Sequence, residues 1–287
     1  MPDNSAVTGT ERPKRLVISE NLRQRIVWGA GLALVALAFA YYSLATFALL
    51  VLVVALFLCW EWGHMVRGTS ADLGFLIHAA AVAAAAGLAA SGYAAIGGAV
   101  LVTAAIILVP VVFGQGARLS ALGVFYVGLP VIALLWLRAD EPYGFAAVLL
   151  IFGIVWSSDI GAFAAGRLIG GPRLWPRVSP NKTWAGFLGG VGTGALVAAL
   201  LSLLIADASP VRLAITGLAL SLVAQAGDLG ESALKRLFGL KDASDLIPGH
   251  GGFMDRMDSI VAAAVVAALY ALAVDPQAPA HALLFGP

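Results

Sequence analysis

The chain has 287 residues, 61% of them hydrophobic and only 11% charged, with a net charge of +1. Soluble domains are about a quarter charged, so this composition excludes an ordinary water-soluble enzyme. It points to an all-α integral membrane protein, with spans long enough for helices rather than barrel strands. The single cysteine, Cys59, excludes a disulfide framework and reads as a buried structural thiol. The small net charge says little about partners, and no nucleic-acid partner is expected.

The first 22 residues are polar, with Arg12, Lys14 and Arg15 ahead of the first apolar run, and the arm is taken as 1–24. No cleavable signal peptide is expected, because charge, apolar core and cleavage site do not follow in the required order. A cytoplasmic arm is the reading, and Asp3, Glu11 and Glu20 dilute any polybasic lipid-binding role. Hydropathy then predicts about nine helical spans, near 25–42, 44–61, 73–91, 94–113, 119–137, 143–160, 184–206, 210–227 and 259–274. The expected organisation is the arm, then spans one to five over 25–142, then a catalytic region over 143–287. That last region holds spans six to nine and two long loops.

With the N-terminus cytoplasmic and the spans alternating, 15 of the 17 basic residues fall inside, and only Arg138 and Arg212 outside. This is the positive-inside bias, and it places both long loops, near 161–183 and 228–258, on the cytoplasmic side. Trp28, Trp60, Trp62, Trp136 and Trp184 lie near span ends and read as interfacial anchors. His64 and His78 are isolated from other ligand types, and His281 lies in a loose C-terminal tail. Gly186, Gly190 and Gly194 recur every fourth residue and make a smooth strip for helix packing. A nucleotide-binding glycine loop is the poorer reading, because no strand is expected before them.

Charges crowd into Gly227–Asp258, with four basic residues (Lys235, Arg236, Lys241, Arg256) and six acidic ones (Asp228, Glu231, Asp242, Asp245, Asp255, Asp258). A membrane protein does not keep such groups beside its spans without a use for them. If the eighth span continues as helix, Asp228, Glu231, Ser232 and Lys235 share one face. A solvated, salt-bridged helix end is the structural alternative. The turn Pro248-Gly-His-Gly-Gly lets backbone N–H groups approach phosphate oxygens. Asp255 and Asp258 share a helical face at the start of the last span, where an acid also suits simple capping. Carboxylates beside phosphate-binding cations are what Mg²⁺ with a nucleotide requires. In the other loop, Asp159 closes the sixth span, and Ser179-Pro-Asn-Lys-Thr-Trp brings Lys182 to a helix N-terminus where phosphate is favoured. Arg173 and Arg177 read equally well as inside anchors.

At these residues the chain resembles the phosphatidate cytidylyltransferases, also called CDP-diacylglycerol synthases. Their signature is Ser-x-apolar-Lys-Arg, four residues, Lys-Asp, then Pro/Gly-x-His-Gly-Gly-apolar-x-Asp-Arg-apolar-Asp, and Ser232 to Asp258 meets it at every fixed position. Asp159-Ile-Gly-Ala and Ser179-Pro-Asn-Lys-Thr-Trp resemble a second family segment. Phe163 stands where the family often has Tyr, and Ala185 where Glu or Gln is common. The resemblance covers roughly 157–275; the first five spans match in hydropathy alone.

The resemblance implies that CTP and phosphatidate react to give CDP-diacylglycerol and pyrophosphate, with Mg²⁺ and room for a second cation, in a homodimer of the bacterial inner membrane. The roles that follow are Asp228, Asp255 and Asp258 as metal ligands, with Asp159 either a further ligand or a residue that orients a base. Lys235, Arg236, Lys241 and Arg256 hold phosphates. Ser179, Lys182 and Thr183 approach from the second loop, and Ser232, Gly251 and Gly252 line the pocket. His250 either donates to the leaving pyrophosphate or supports the turn. Two other readings remain at this stage. A CTP-dependent lipid kinase of the polyprenol or phytol type would need a base and make His250 central. A transporter would need ionisable residues deep in several spans.

Overall fold

The computed structural model describes residues 20–69, 71–112, 114, 116–244, 246 and 251–287, with Glu20–Trp28 described as backbone only. The N-terminal arm up to residue 19 and His250 lie outside the described residues, as does Asp245.

Ten α-helices and one short hairpin follow in order among the described residues: α1 Glu20–Tyr42, α2 Leu44–Arg67, α3 Leu73–Ala90, α4 Ala94–Val111, α5 Ala117–Ala139, α6 Gly144–Leu168, β1 Arg173–Trp175, β2 Ser179–Thr183, α7 Trp184–Leu201, α8 Pro210–Leu237, α9 Met254–Val274 and α10 Pro279–Phe285. The eight helices α2 to α9 are long and apolar enough to cross a bilayer, α7 running on to Leu204. The first expected span falls on α1, whose described apolar part is Gly29–Tyr42. The chain is an all-α integral membrane protein.

Local chemistry sets the helix ends. Ser43, Asp72, Thr183 and Ser209 each accept a backbone N–H of the following helix, at Thr46, Phe75, Gly186 and Arg212. Pro210 follows Ser209 in the first turn, where a missing N–H costs nothing. Gly68, at φ +70, ends α2 by donating to the His64 carbonyl at 2.9 Å.

Helix α5 is central and packs against α2, α3, α4 and α9, while α7 packs between α6 and α8. Leu101, Leu135, Leu150, Ile151 and Ile154 are wholly buried in the seam. The glycine strip of α7 is used inside this packing. A Cβ on Gly186 would lie 2.8 Å from the Ala162 carbonyl of α6, and one on Gly190 would lie 2.8 Å from the Ser158 carbonyl and 2.9 Å from Gln225 Nε2 of α8. Small residues here let three backbones approach one another.

Four details depart from the sequence reading. The loop after α6 is an antiparallel hairpin pairing Arg173 with Thr183 and Trp175 with Ser179, so a strand does precede the glycines of α7. Trp62 is a core residue rather than an interfacial anchor. It is 1% exposed, donates to the Leu119 carbonyl at 2.9 Å and packs on Tyr126. Trp184, by contrast, is half exposed. The C-terminal tail is not loose, because its apolar residues fold as α10 with Ala280, Ala282, Leu283 and Leu284 buried. Asp140 accepts the Ala280 and His281 N–H groups at 2.7 and 3.2 Å, and His281 packs against Tyr143 and Phe285.

Candidate active site

The C-terminal ends of α2, α6 and α8, the N-terminal ends of α7 and α9, and the hairpin meet at one end of the bundle. Helix α8 runs past its apolar stretch to Leu237, so Asp228, Glu231, Ser232 and Lys235 do share one helical face. Ser232 Oγ lies 3.5 Å from Asp228 Oδ1, and Lys235 Nζ lies 2.6 Å from Glu231 Oε2. Lys235 is also ion-paired with Asp255 at the start of α9. One lysine thus bridges two helices, and both it and Glu231 are buried.

Asp255 is held on several sides. Its Oδ2 accepts the Gly252 N–H at 2.8 Å and the Ala243 N–H at 3.1 Å, while Oδ1 faces Lys235. Gly251, at φ +78, adopts the left-handed turn that glycine tolerates. A Cβ there would come 2.9 Å from Asp255 Oδ2. Asp258, one turn on, accepts the Ser259 N–H at 2.7 Å. Close contact between α8 and α9 depends on Gly227, where a Cβ would lie 2.6 Å from Ala262 Cβ and 2.9 Å from the Asp258 carbonyl.

The hairpin contributes from the other side. Strand β2 carries Lys182, whose Nζ lies 2.6 Å from Asp228 Oδ2. The second loop therefore reaches the same charged face. Asp159, on α6, is within electrostatic reach of Asp228, Lys182 and Arg256. Asp258 is within reach of Asp228, Glu231 and Asp159. Acids from α6, α8 and α9 surround one region, with lysines between them.

The remaining expected residues are placed less centrally. Ser179 is half-buried in β2. Thr183 is buried, and its hydroxyl accepts the Gly186 N–H at 3.1 Å as the N-cap of α7. Arg236 is exposed and donates to the Leu240 carbonyl at 2.7 Å. Lys241 and Arg256 are exposed at the rim, and Gly252 is buried.

Two residues of the site, Glu61 and Tyr126, escaped the sequence reading, and a third was only partly read. Glu231 appeared only as part of the helical face, yet it is the buried partner of Lys235. Glu61, at the end of α2, is 0% exposed and accepts the Phe253 and Met254 N–H groups at 2.8 and 2.7 Å. Tyr126, on α5, lies within electrostatic reach of Glu231, Asp258, Asp255 and Glu61, and its Oη is buried. A lone acid between two tryptophans at the end of an apolar span was the available signal for Glu61.

Fold and site together define a multi-pass membrane protein with a carboxylate–lysine centre at one end of its helical bundle. Residues 23–274 match the model of the cytidylyltransferase family, and the chain belongs to that family. Among its relatives, the phosphatidate cytidylyltransferase of Brucella suis is 36% identical over 262 residues, covering 90% of this chain and 97% of the relative. The phosphatidate cytidylyltransferase of Bacillus subtilis is 38% identical over 141 residues, 49% of this chain and 52% of that protein. The one from Staphylococcus saprophyticus is 40% identical over 147 residues, 50% of this chain and 55% of that protein.

Proposed function

We propose that this protein transfers the cytidylyl group of CTP to phosphatidate, giving CDP-diacylglycerol and pyrophosphate. The observation that carries the reading is the near full-length likeness to a phosphatidate cytidylyltransferase. In support, Lys235 and Asp255 of the signature segment pair with each other, and Lys182 pairs with Asp228 on the same charged helical face.

The chemistry asks for charge management more than for a base. The attacking group is a phosphate monoester with a second pKa of about 6 by analogy with phosphorylated side chains. It is largely ionised at neutral pH. Two anions must be brought together and aligned for attack on the α-phosphorus, with pyrophosphate leaving on the opposite side. Lys182 and Lys235 sit on two sides of the acidic face, where each can turn from its carboxylate partner to a phosphate oxygen. Arg256 and Lys241 at the rim receive the outer phosphates. The buried Lys235–Asp255 pair holds the Gly251–Gly252 turn against α8.

The donor set suits Mg²⁺, because it offers hard carboxylate oxygens from three helices. Among the described residues no three His, Cys, Asp or Glu side chains form a preassembled cage. Mg²⁺ bound with a nucleotide takes only one or two carboxylates, with phosphates and water completing its shell. Asp228 and Asp258, with Asp159 beside them, would hold the ion, while Asp255 is occupied in orienting Lys235 and the turn. Bound there, the ion would neutralise phosphate charge and polarise the α-phosphorus.

Substrate supply favours a cytoplasmic orientation of this end, in the inner membrane of a bacterium, with the lipid headgroup arriving at the membrane surface. Assembly as a homodimer rests on the family resemblance; the α7 glycine strip serves packing within one chain. The test uses purified protein in detergent micelles with phosphatidate, Mg²⁺ and CTP labelled at the α-phosphate. Label is expected in an organic-soluble CDP-lipid and lost in Asp255→Asn. A folded protein that labels no lipid would overturn the reading, and γ-labelled CTP with alcohol acceptors would then test the kinase alternative.

A further inference from the structure

We infer that Glu61, on α2 and far in sequence from the signature segment, is a positioning residue for the transfer site. Its carboxylate fixes the Gly251–Gly252 turn and the first turn of α9, and through them Asp255 and Lys235. The inference rests on the proposed reaction only for its kinetic readout.

Helix α9 begins without a side-chain cap from its own N-cap residue, Phe253. The first N–H groups of a helix have no intrahelical acceptor and carry partial positive charge. Glu61 supplies the acceptor from another helix, taking the Phe253 N–H on Oε1 at 2.8 Å and the Met254 N–H on Oε2 at 2.7 Å. Ser244 Oγ donates to the same Oε1 at 2.5 Å. Gly252 allows this approach, since a Cβ there would sit 2.5 Å from Glu61 Oε1. Phe57, one turn earlier on α2, stacks on Phe253 with ring centroids 4.6 Å apart.

Glu61 and Asp255 then act as a pair of clamps on the same two stretches of backbone. At one stretch Ala243 N–H goes to Asp255 and Ser244 Oγ to Glu61. At the other Gly252 N–H goes to Asp255, and Phe253 and Met254 N–H go to Glu61. Asp255 also holds Lys235. Among the described residues, this wholly buried acid takes its hydrogen bonds from backbone and serine donors. It sets where Asp255 and Lys235 stand.

The test compares wild type, Glu61→Gln, Asp255→Asn and the double variant in the labelled-CTP assay, with turnover normalised to folded protein. Misplacing a reacting constellation by about 1 Å costs about a hundredfold, so Glu61→Gln is expected to lower kcat by roughly ten- to a hundredfold, with KM for CTP within about threefold. Because the two carboxylates act as a unit, adding Glu61→Gln to Asp255→Asn is expected to cost less than about threefold more. Amide hydrogen exchange at 252–255 is expected to quicken in Glu61→Gln, a readout that needs no turnover. Unchanged kcat, fully multiplicative losses or unchanged exchange would each overturn the inference. Should Glu61→Gln fail to fold, Ser244→Ala removes one of its donors; a kcat drop at preserved thermal stability supports the clamp, and unchanged kcat overturns it. A wild type that transfers nothing while the exchange effect persists would count against the reaction and leave the clamp standing.

Discussion

Lys235 shows how one side chain can carry both stability and chemistry. It is buried between Glu231 and Asp255, and removing one partner of a buried ion pair costs about 3–5 kcal/mol because the other is left uncompensated. Lys235→Ala is therefore expected to lower the thermal midpoint and to cut turnover. Loss of a charge-stabilising group usually costs about a hundredfold or more, the scale expected for Asp255→Asn as well. Lys182 is a quarter exposed and pairs with Asp228 from a hairpin. Lys182→Ala is expected to raise the KM for CTP or lipid, with the fold and thermal midpoint kept; kinetics on the purified variant checks this. At residue scale the polar positions were legible in the sequence, since Asp228, Ser232, Lys235 and Asp255 fall where helical spacing puts them. Glu61 was not, because its partners are backbone groups nearly two hundred residues away, and nothing local marks them.

Away from the site, Arg67 grips Asp72 through Nε and Nη2 at 2.7 and 2.9 Å. The Arg67 guanidinium holds the Asp72 carboxyl below the usual carboxylate range. A depressed carboxylate contributes stability that is present above its unfolded pKa and lost as pH falls through the folded one. Thermal stability should therefore decline on the acid side of the ordinary carboxylate range. Asp72→Asn should remove that component; a pH series of melting midpoints for both proteins reads it.

At the scale of elements, the contact of α8 with α9 is set by one missing side chain. Gly227→Ala would push a Cβ into Ala262 and the Asp258 carbonyl. Overpacking of this kind costs about 1–3 kcal/mol, and it moves Asp228 relative to Asp258. The expected outcome is a lower thermal midpoint together with a lower turnover per folded molecule. The helices themselves were largely legible, since apolar runs of span length announce them. The hairpin was not. Strand β2 is five residues long and contains Pro180, which argues against a strand when only sequence is in view. The short helix α10 was hidden for a related reason, as seven residues without charge carry no periodic signal.

Across the whole molecule, the charged residues segregate to two ends. Arg138 donates to the Ala40 carbonyl at 2.6 Å and pairs with Glu141, and Arg212 lies against Gly286, both at the end away from the transfer site. These are the two basic residues that the positive-inside reading leaves outside. The natural cysteine, Cys59, is 0% exposed, which makes a clean background for thiol labelling. A cysteine in place of the exposed Lys241 should react with an impermeant reagent in inverted vesicles and not in intact spheroplasts. The reverse pattern would invert the topology.

The hydrogen bonds from Glu61 to Phe253 and Met254 tie the first half of the chain to the second. Sequence divides the molecule into an apolar first half and a chemically rich second half, and invites the second half to be treated as a minimal catalyst. Expressed as a fragment from residue 143, that half would start α9 with bare N–H groups and bring no aromatic ring to Phe253. It is expected to insert and remain silent. Supplying residues 1–142 as a separate polypeptide in the same membrane should restore turnover, and should fail to do so when that polypeptide carries Glu61→Ala.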